Sequence, residues 1–356
     1  MEPVTHFLTG ACLGRAGFNR KTAYATLAMT LAAEAPDLDV LWGFQGPVSG
    51  FQHHRGITHT LIAAPFIALV VTAAVWLFHR FRRKPPKSPV RWLLVWLFAM
   101  IAVLSHLLLD FTNNYGLRPF FPFNPRWYSW DIVFIFEPLM FLALLGALIM
   151  PLIFGLADRE IGARKQMFRG RGWAIAALVF IVALYGLRNA EHAHAIELVR
   201  NAGNGKEPIR RIGVEPFPIN PFKWYAIAES PSYYQTSLVY SRSDTVDTDA
   251  GALIYKPDTT MATLVAKRSW LGQVYLDWSE FPLVSDRGLF QPPGRKVDPP
   301  QTGWNTVEFD DLRFSYMGMV MGGSGTRSRS RPLAAWVYVG PQREIEGLIM
   351  NGTEQN

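Results

Sequence analysis

Histidines and carboxylates crowd into a few short stretches of this chain. Glu34-Ala35-Pro36-Asp37-Leu38-Asp39 sets two carboxylates two residues apart, and His53-His54-Arg55-Gly56-Ile57-Thr58-His59-Thr60 follows closely. In Ser105-His106-Leu107-Leu108-Leu109-Asp110 an imidazole and a carboxylate stand at i and i+4, on one face of any helix formed there. His6 comes before these stretches, and Asp131 and Glu137 come after them. Neutral imidazoles and carboxylates are the usual ligands of zinc and related divalent ions. The pool exceeds the four ligands of one tetrahedral ion, so two or three ions are accommodated. Paired ions suit phosphoester hydrolysis, because they activate a water and stabilise both the attacking and the leaving oxygen. Arg55 is suited to a phosphate oxygen, or else to a salt bridge with Asp37 or Asp39. Whichever of Asp37 and Asp39 is not a ligand is the candidate general base.

The elements that must position these groups read as membrane helices. Charged residues make up 18% of the chain and hydrophobic ones 49%, against about 25% charge in soluble domains. Apolar runs at 61–78, 92–109, 132–156 and 173–187 are candidate spans, the last only 15 residues long, where roughly 20 are needed. Two short basic loops separate them in pairs. One carries Arg80, Arg82, Arg83, Lys84, Lys87 and Arg91, and the other Arg159, Arg164, Lys165, Arg169 and Arg171. Such loops stay in the cytoplasm, which puts residues before 61, residues 110–131 and everything after 187 on the outer face. Every candidate ligand then falls on or near that face, where an unpaired ionisable group is costly and a metal accounts for the convergence. His79, among arginines, is an interfacial side chain.

Residues 22–33 are apolar but too short to cross, about 18 Å as helix. They read as a buried or half-inserted helix on the outer side, which leaves Arg15, Arg20 and Lys21 outside against the usual bias. Beyond about Gly203 the composition turns to short β-branched and aromatic runs at 224–228, 236–240, 252–255, 263–266, 273–278, 306–309 and 334–339, a pattern of antiparallel sheet or sandwich. Residues 322–331 read as a mobile loop. The expected architecture is therefore an α-helical polytopic membrane domain, about four spans plus an N-terminal buried helix, over 1–200. A β-rich extracytoplasmic domain follows over 201–356. The single cysteine, Cys12, excludes an intramolecular disulfide and reads as a small buried side chain. The net charge of +7 lies largely in the loops, so no nucleic-acid partner is implied.

Thr5-His6, Pro36-Asp37-Leu38-Asp39, His54-Arg55-Gly56-Ile57-Thr58-His59-Thr60 and His106 with Asp110 together resemble the YdjM-type membrane-bound metal-dependent hydrolases, over about residues 1–190. That family is in turn distantly similar to zinc-dependent phospholipase C and P1-type nucleases. The resemblance implies His6, Asp37 or Asp39, His54, His59, His106 and Asp110 as ligands of zinc. Asp131 joins the pool by its place at the mouth of the third span. Glu137-Pro138 departs from the family's usual Asp-Pro and leaves Glu137 outside the set.

The function these features imply is hydrolysis of a phosphoester, lipid or lipid-linked, at the outer face of a bacterial inner membrane. Membrane lipids are the expected surroundings, and a small-molecule or lipid compound is the substrate. The rival from another class is a non-catalytic metal-binding protein that acts as an envelope assembly or stress factor through its β domain. A transporter is disfavoured because no candidate ligand lies mid-span.

Overall fold

Glu2 and Pro3 start the first helix: the Glu2 carboxylate accepts the Thr5 N–H at 3.0 Å, and Pro3 loses no bond at a position whose N–H is unpaired anyway. The result is α1 (Pro3–Ala16), and it turns back at Gly17 into α2 (Ala25–Glu34). The computed structural model describes residues 1–161, 169–203, 205, 207–289, 304–320 and 333–355; the tract 322–331 lies outside them. Helix α3 (Pro47–His53) precedes four longer ones, α4 (Ala64–Phe81), α5 (Trp92–Phe111), α6 (Pro138–Glu160) and α7 (Arg171–Ala202). These 4 helices are long and apolar enough to cross a membrane. Their large side chains point outward in numbers a water-facing surface does not carry, Phe66 at 66%, Leu142 at 61% and Val182 at 70% exposure among them.

The chain divides into two compact units. One comprises Met1–Asp39, Arg55–His192 and Pro218–Pro221, the other Val40–His54, Ala193–Phe217 and Phe222–Asn356. In the first unit α5 is central. Its Val95, Ala99, Ala102 and Val103 pack with Ala28, Met29 and Ala32 of α2 and Ala68 and Val71 of α4, while Leu8 and Cys12 of α1 pack with Leu144 and Ala147 of α6. Cys12 is fully buried, as its size and surroundings in sequence imply.

Helices α1 and α2 approach unusually closely. A Cβ on Gly10 would lie 2.9 Å from the Thr30 Cα, and one on Gly14 2.6 Å from the Thr26 Cα. Gly10 and Gly14, four apart, let two backbones touch as small residues do in membrane helix pairs.

This hairpin corrects one expectation. Its tip is bonded to the ends of the bundle that carry the basic loops: Ala23 N–H to the Pro89 carbonyl (3.0 Å), Arg91 N–H to Thr22 Oγ1 (2.8 Å), and Arg171 Nε to the Ala16 carbonyl (3.0 Å). Arg15, Arg20 and Lys21 thus lie at the basic end rather than on the face holding the candidate ligands. The breach of the charge bias disappears, and the parity of crossings is unchanged because the hairpin goes and returns. The last span also differs from its 15-residue apolar run, since α7 continues for 32 residues, about 48 Å.

The second unit holds two five-stranded antiparallel sheets among the described residues. The first is β1 (Arg211–Pro216), β2 (Lys223–Glu229), β3 (Tyr233–Tyr240) and β4 (Thr245–Asp247) in order, with β5 (Leu253–Tyr255) also on β3. The second runs from β6 (Pro282–Asp286) through β7 (Asn305–Asp311), β8 (Ala335–Val339) and β9 (Ile345–Met350) to β10 (Thr353–Glu354). Two expected strands, 263–266 and 273–278, are instead helices α8 (Met261–Arg268) and α9 (Trp270–Trp278). A reciprocal cap between Thr260 and Thr263 starts the first, and Ser269 Oγ accepts the Gly272 N–H (3.1 Å) to start the second. The buried Leu271, Tyr275 and Trp278 recur at helical, not strand, spacing.

Candidate metal centre

Pro36 lacks an N–H and disfavours helix in the residue before it, so α2 stops at Glu34 and the chain runs on as a 3-10 stretch, Ala35–Gln45. That stretch carries Asp37 and Asp39. His59 ends a short 3-10 turn, Ile57–His59, fixed by Thr60, whose hydroxyl donates to the Ile57 carbonyl (2.8 Å) and accepts the Ala63 N–H (3.1 Å). His106 and Asp110 lie on one face of the last two turns of α5.

Four of these groups converge. One ligand atom each from Asp37, His59, His106 and Asp110 falls within 4.8 Å of the other three. His59 Nε2 is 3.0 Å from His106 Nε2, 3.4 Å from Asp37 Oδ1 and 3.3 Å from Asp110 Oδ2. His106 Nε2 is 3.5 Å from Asp37 Oδ1 and 3.3 Å from Asp110 Oδ2. Four ligands about 2.0–2.1 Å from a tetrahedral zinc stand about 3.3 Å apart, so these edges enclose the space one ion needs. The donor chemistry agrees. Asp37 Oδ2 is buried with no hydrogen-bond partner.

Both imidazoles have their far nitrogen fixed. His106 Nδ1–H donates to the Ala33 carbonyl (2.7 Å), one of the carbonyls left open at the end of α2. His59 Nδ1 lies 3.2 Å from Asp39 Oδ2 and 3.1 Å from the Thr58 hydroxyl. Each Nε2 is thereby turned inward, the usual outer-shell arrangement of metal-binding histidines. Asp39, 4% exposed, stands behind His59 and also accepts the Arg55 backbone N–H at 2.7 Å. Thr58 faces the site, and Thr60 serves the turn.

Charge is concentrated here. Burial opposes the charged form of His59, but the hydrogen bonds it donates to Asp110, Asp37 and Asp39 outweigh it and raise its pKa to about 10. Burial also works against the Asp37 carboxylate, but the hydrogen bond from His59 outweighs it and lowers the Asp37 pKa to about 2.

The remaining sequence candidates take separate places. His6 is fully buried, stacks on His106 with ring centroids 3.8 Å apart, and brings Nε2 to 3.4 Å from Asp110 Oδ1. The Met1 terminal amine also meets that oxygen. Arg55 is 3% exposed and its guanidinium is engaged with Asp110 Oδ1 (2.8 Å), Asn113 Oδ1 (3.1 Å) and the Gly116 carbonyl (2.9 Å). Its pairing is thus with Asp110 rather than Asp37 or Asp39, and Asn113 is a partner as well as a turn residue. Arg55 holds this position with φ 53, a strained conformation for a long side chain. His54 belongs to the second unit, and Asp131 is half-buried outside the converging four. Glu137 pairs with Arg188 at 2.6 Å, both fully buried. His53 stacks on Trp42, and His194 pairs with Asp244, both within the second unit. The Ala33 and Gly116 carbonyls carry no sequence signal, whereas the Gly10–Gly14 spacing that seats α1 against α2 is visible in the sequence.

Comparison with known proteins identifies the first unit. The family model described as YdjM inner membrane protein matches residues 1–195, and the chain belongs to that family. With its four apolar helices it is an integral membrane protein. The chain is similar to the uncharacterized protein YfhP of Bacillus subtilis (strain 168), 29% identical over 156 residues, which are 42% of this chain and 45% of that protein. The match therefore spans less than half of that relative's length. No solved structure matches the chain.

Proposed function

We propose that this member of the YdjM inner membrane protein family is a metal-dependent hydrolase that cleaves a phosphoester of a lipid or lipid-linked substrate at the outer membrane face. The observation that carries the reading is the set of four donor atoms within 4.8 Å of one another, formed where α5 ends. Three donors are sealed, while the Asp37 side chain is 15% exposed, so water and substrate approach on its side. A divalent ion, zinc by donor type, would polarise a phosphoryl oxygen and acidify a water there. The protein's part is to hold Nε2 of His59 and His106 in place, through Asp39 and the Ala33 carbonyl, and to hold Asp110 against Arg55. The two oxygens of Asp110 face different nitrogens, Oδ2 towards His59 and His106 and Oδ1 towards His6. His6 would be the further donor for a second ion, which is part of the proposal.

The lipid assignment rests on depth. His106 and Asp110 lie in the last turns of a spanning helix, at headgroup level, and Trp127, Tyr128 and Trp130 follow in the loop beyond it. The outer-face assignment rests on the basic loops at the other end of the bundle.

The test is elemental analysis of purified protein, with turnover of a phospholipid in mixed micelles compared with a matched soluble diester. About one or two ions per chain and faster, chelator-sensitive turnover of the lipid are expected. Bound metal with no turnover of either compound favours the non-catalytic assembly factor, and preference for the soluble diester removes the lipid assignment.

A further inference from the structure

At the basic end of the helical unit, away from the metal centre, a cavity of about 640 Å³ opens beside the tip of the α1–α2 hairpin. Its polar lining is cationic: Arg20, Lys21 and Arg171 contribute, and no carboxylate does among the described residues. Phe18, Leu94 and Phe98 supply the apolar wall. Arg171 is held at the cavity by the bond from its Nε to the Ala16 carbonyl. Next to it, Leu93 at 68% and Trp173 at 45% exposure continue the apolar surface along the first turns of α5 and α7.

We infer that this cavity binds the phosphate headgroup of an anionic phospholipid, with an acyl chain along Phe18, Leu94 and the outer surfaces of α5 and α7. Charge and polarity are complementary. Three cations on an apolar wall, at the end of spanning helices, match a lipid phosphate joined to hydrocarbon. A soluble anion leaves the wall uncovered. A zwitterionic lipid brings a positive group of its own against the three cations. The site needs no catalysis at the metal centre and stands apart from the proposed hydrolase function.

The full chain in uncharged micelles can be titrated with phosphatidylglycerol, phosphatidylcholine or inorganic phosphate while the thermal midpoint and the bound lipid, by native mass spectrometry, are followed. Phosphatidylglycerol should bind and raise the midpoint, and the other two should not. Each basic residue contributes roughly fivefold to such binding, so R20A/K21A should need about ten- to thirtyfold more phosphatidylglycerol for half-saturation at unchanged metal content. Lys21→Gln, at an exposed side chain, should show the single roughly fivefold step should the double variant not fold. Equal shifts from phosphatidylcholine, the full shift from phosphate alone, or a Lys21→Gln titration like that of the parent would each overturn the assignment.

Discussion

Asp37 and Asp39 stand two residues apart in a Pro-Asp-Leu-Asp box, yet only Asp37 reaches the point where His59 and His106 meet. Asp39 acts through His59, by holding its Nδ1. Asp39→Asn should therefore keep the centre and weaken metal affinity about 10- to 100-fold, whereas His59→Ala or His106→Ala should leave purified protein without metal while membrane insertion is unchanged. His79→Ala should alter neither, and full metal content in the His59 and His106 variants would refute the site. A second prediction concerns protons. Metal-free His59 has its pKa raised from 6.5 to about 10, so it is charged below that value, and the stability this charge lends the metal-free fold is lost as pH rises through it. A ligand must be neutral, so binding at pH 8 should release about one proton per ion. Calorimetry of zinc binding in buffers of different ionisation enthalpy would show it, and heats independent of buffer would contradict it. The types of these groups were legible in the sequence. Their division into ligand and support was not, because it depends on a 3-10 path after Pro36 that spacing alone does not define.

Helices α1 and α2 place His6, Asp37 and the Ala33 carbonyl, and they can do so only because Gly10 and Gly14 let them touch. Gly14→Leu should push α1 away from Thr26 and lower both the thermal midpoint and the metal content, although it lies turns away from any ligand. Retained metal and midpoint would show the close approach to be dispensable. The Glu137–Arg188 pair is a second pin, and Glu137 also accepts the Ile219 N–H at 3.1 Å. Truncating one partner of such a buried pair costs about 3–5 kcal/mol, so Arg188→Ala should unfold in denaturant at a clearly lower midpoint. The spanning helices were readable from uninterrupted apolar runs, and most strands from β-branched clusters. Helices α8 and α9 were not, since Val265, Val274 and Tyr275 favour strand in isolation while Thr260 and Ser269 cap helices at each start.

Across the whole molecule, four crossings and a hairpin that returns to its own side give one testable arrangement. Cys12 is buried and silent, so single cysteines report sidedness directly. A membrane-impermeant maleimide applied from outside should label Arg126→Cys and Ser243→Cys and spare Lys84→Cys, all three at exposed positions. Labelling of Lys84→Cys with either of the others would break the topology. The same hairpin bears on how the protein is made. His6 and Asp37 leave the ribosome well before the helix that carries His106 and Asp110, on and just beyond a hairpin of two short helices of 14 and 10 residues. During synthesis those early groups have no partners, and capture of an ion must wait until α5 has entered the bilayer in the right direction. An ion held by all four donors would therefore join the first-made part of the chain to a later one, and its capture would report that insertion was completed.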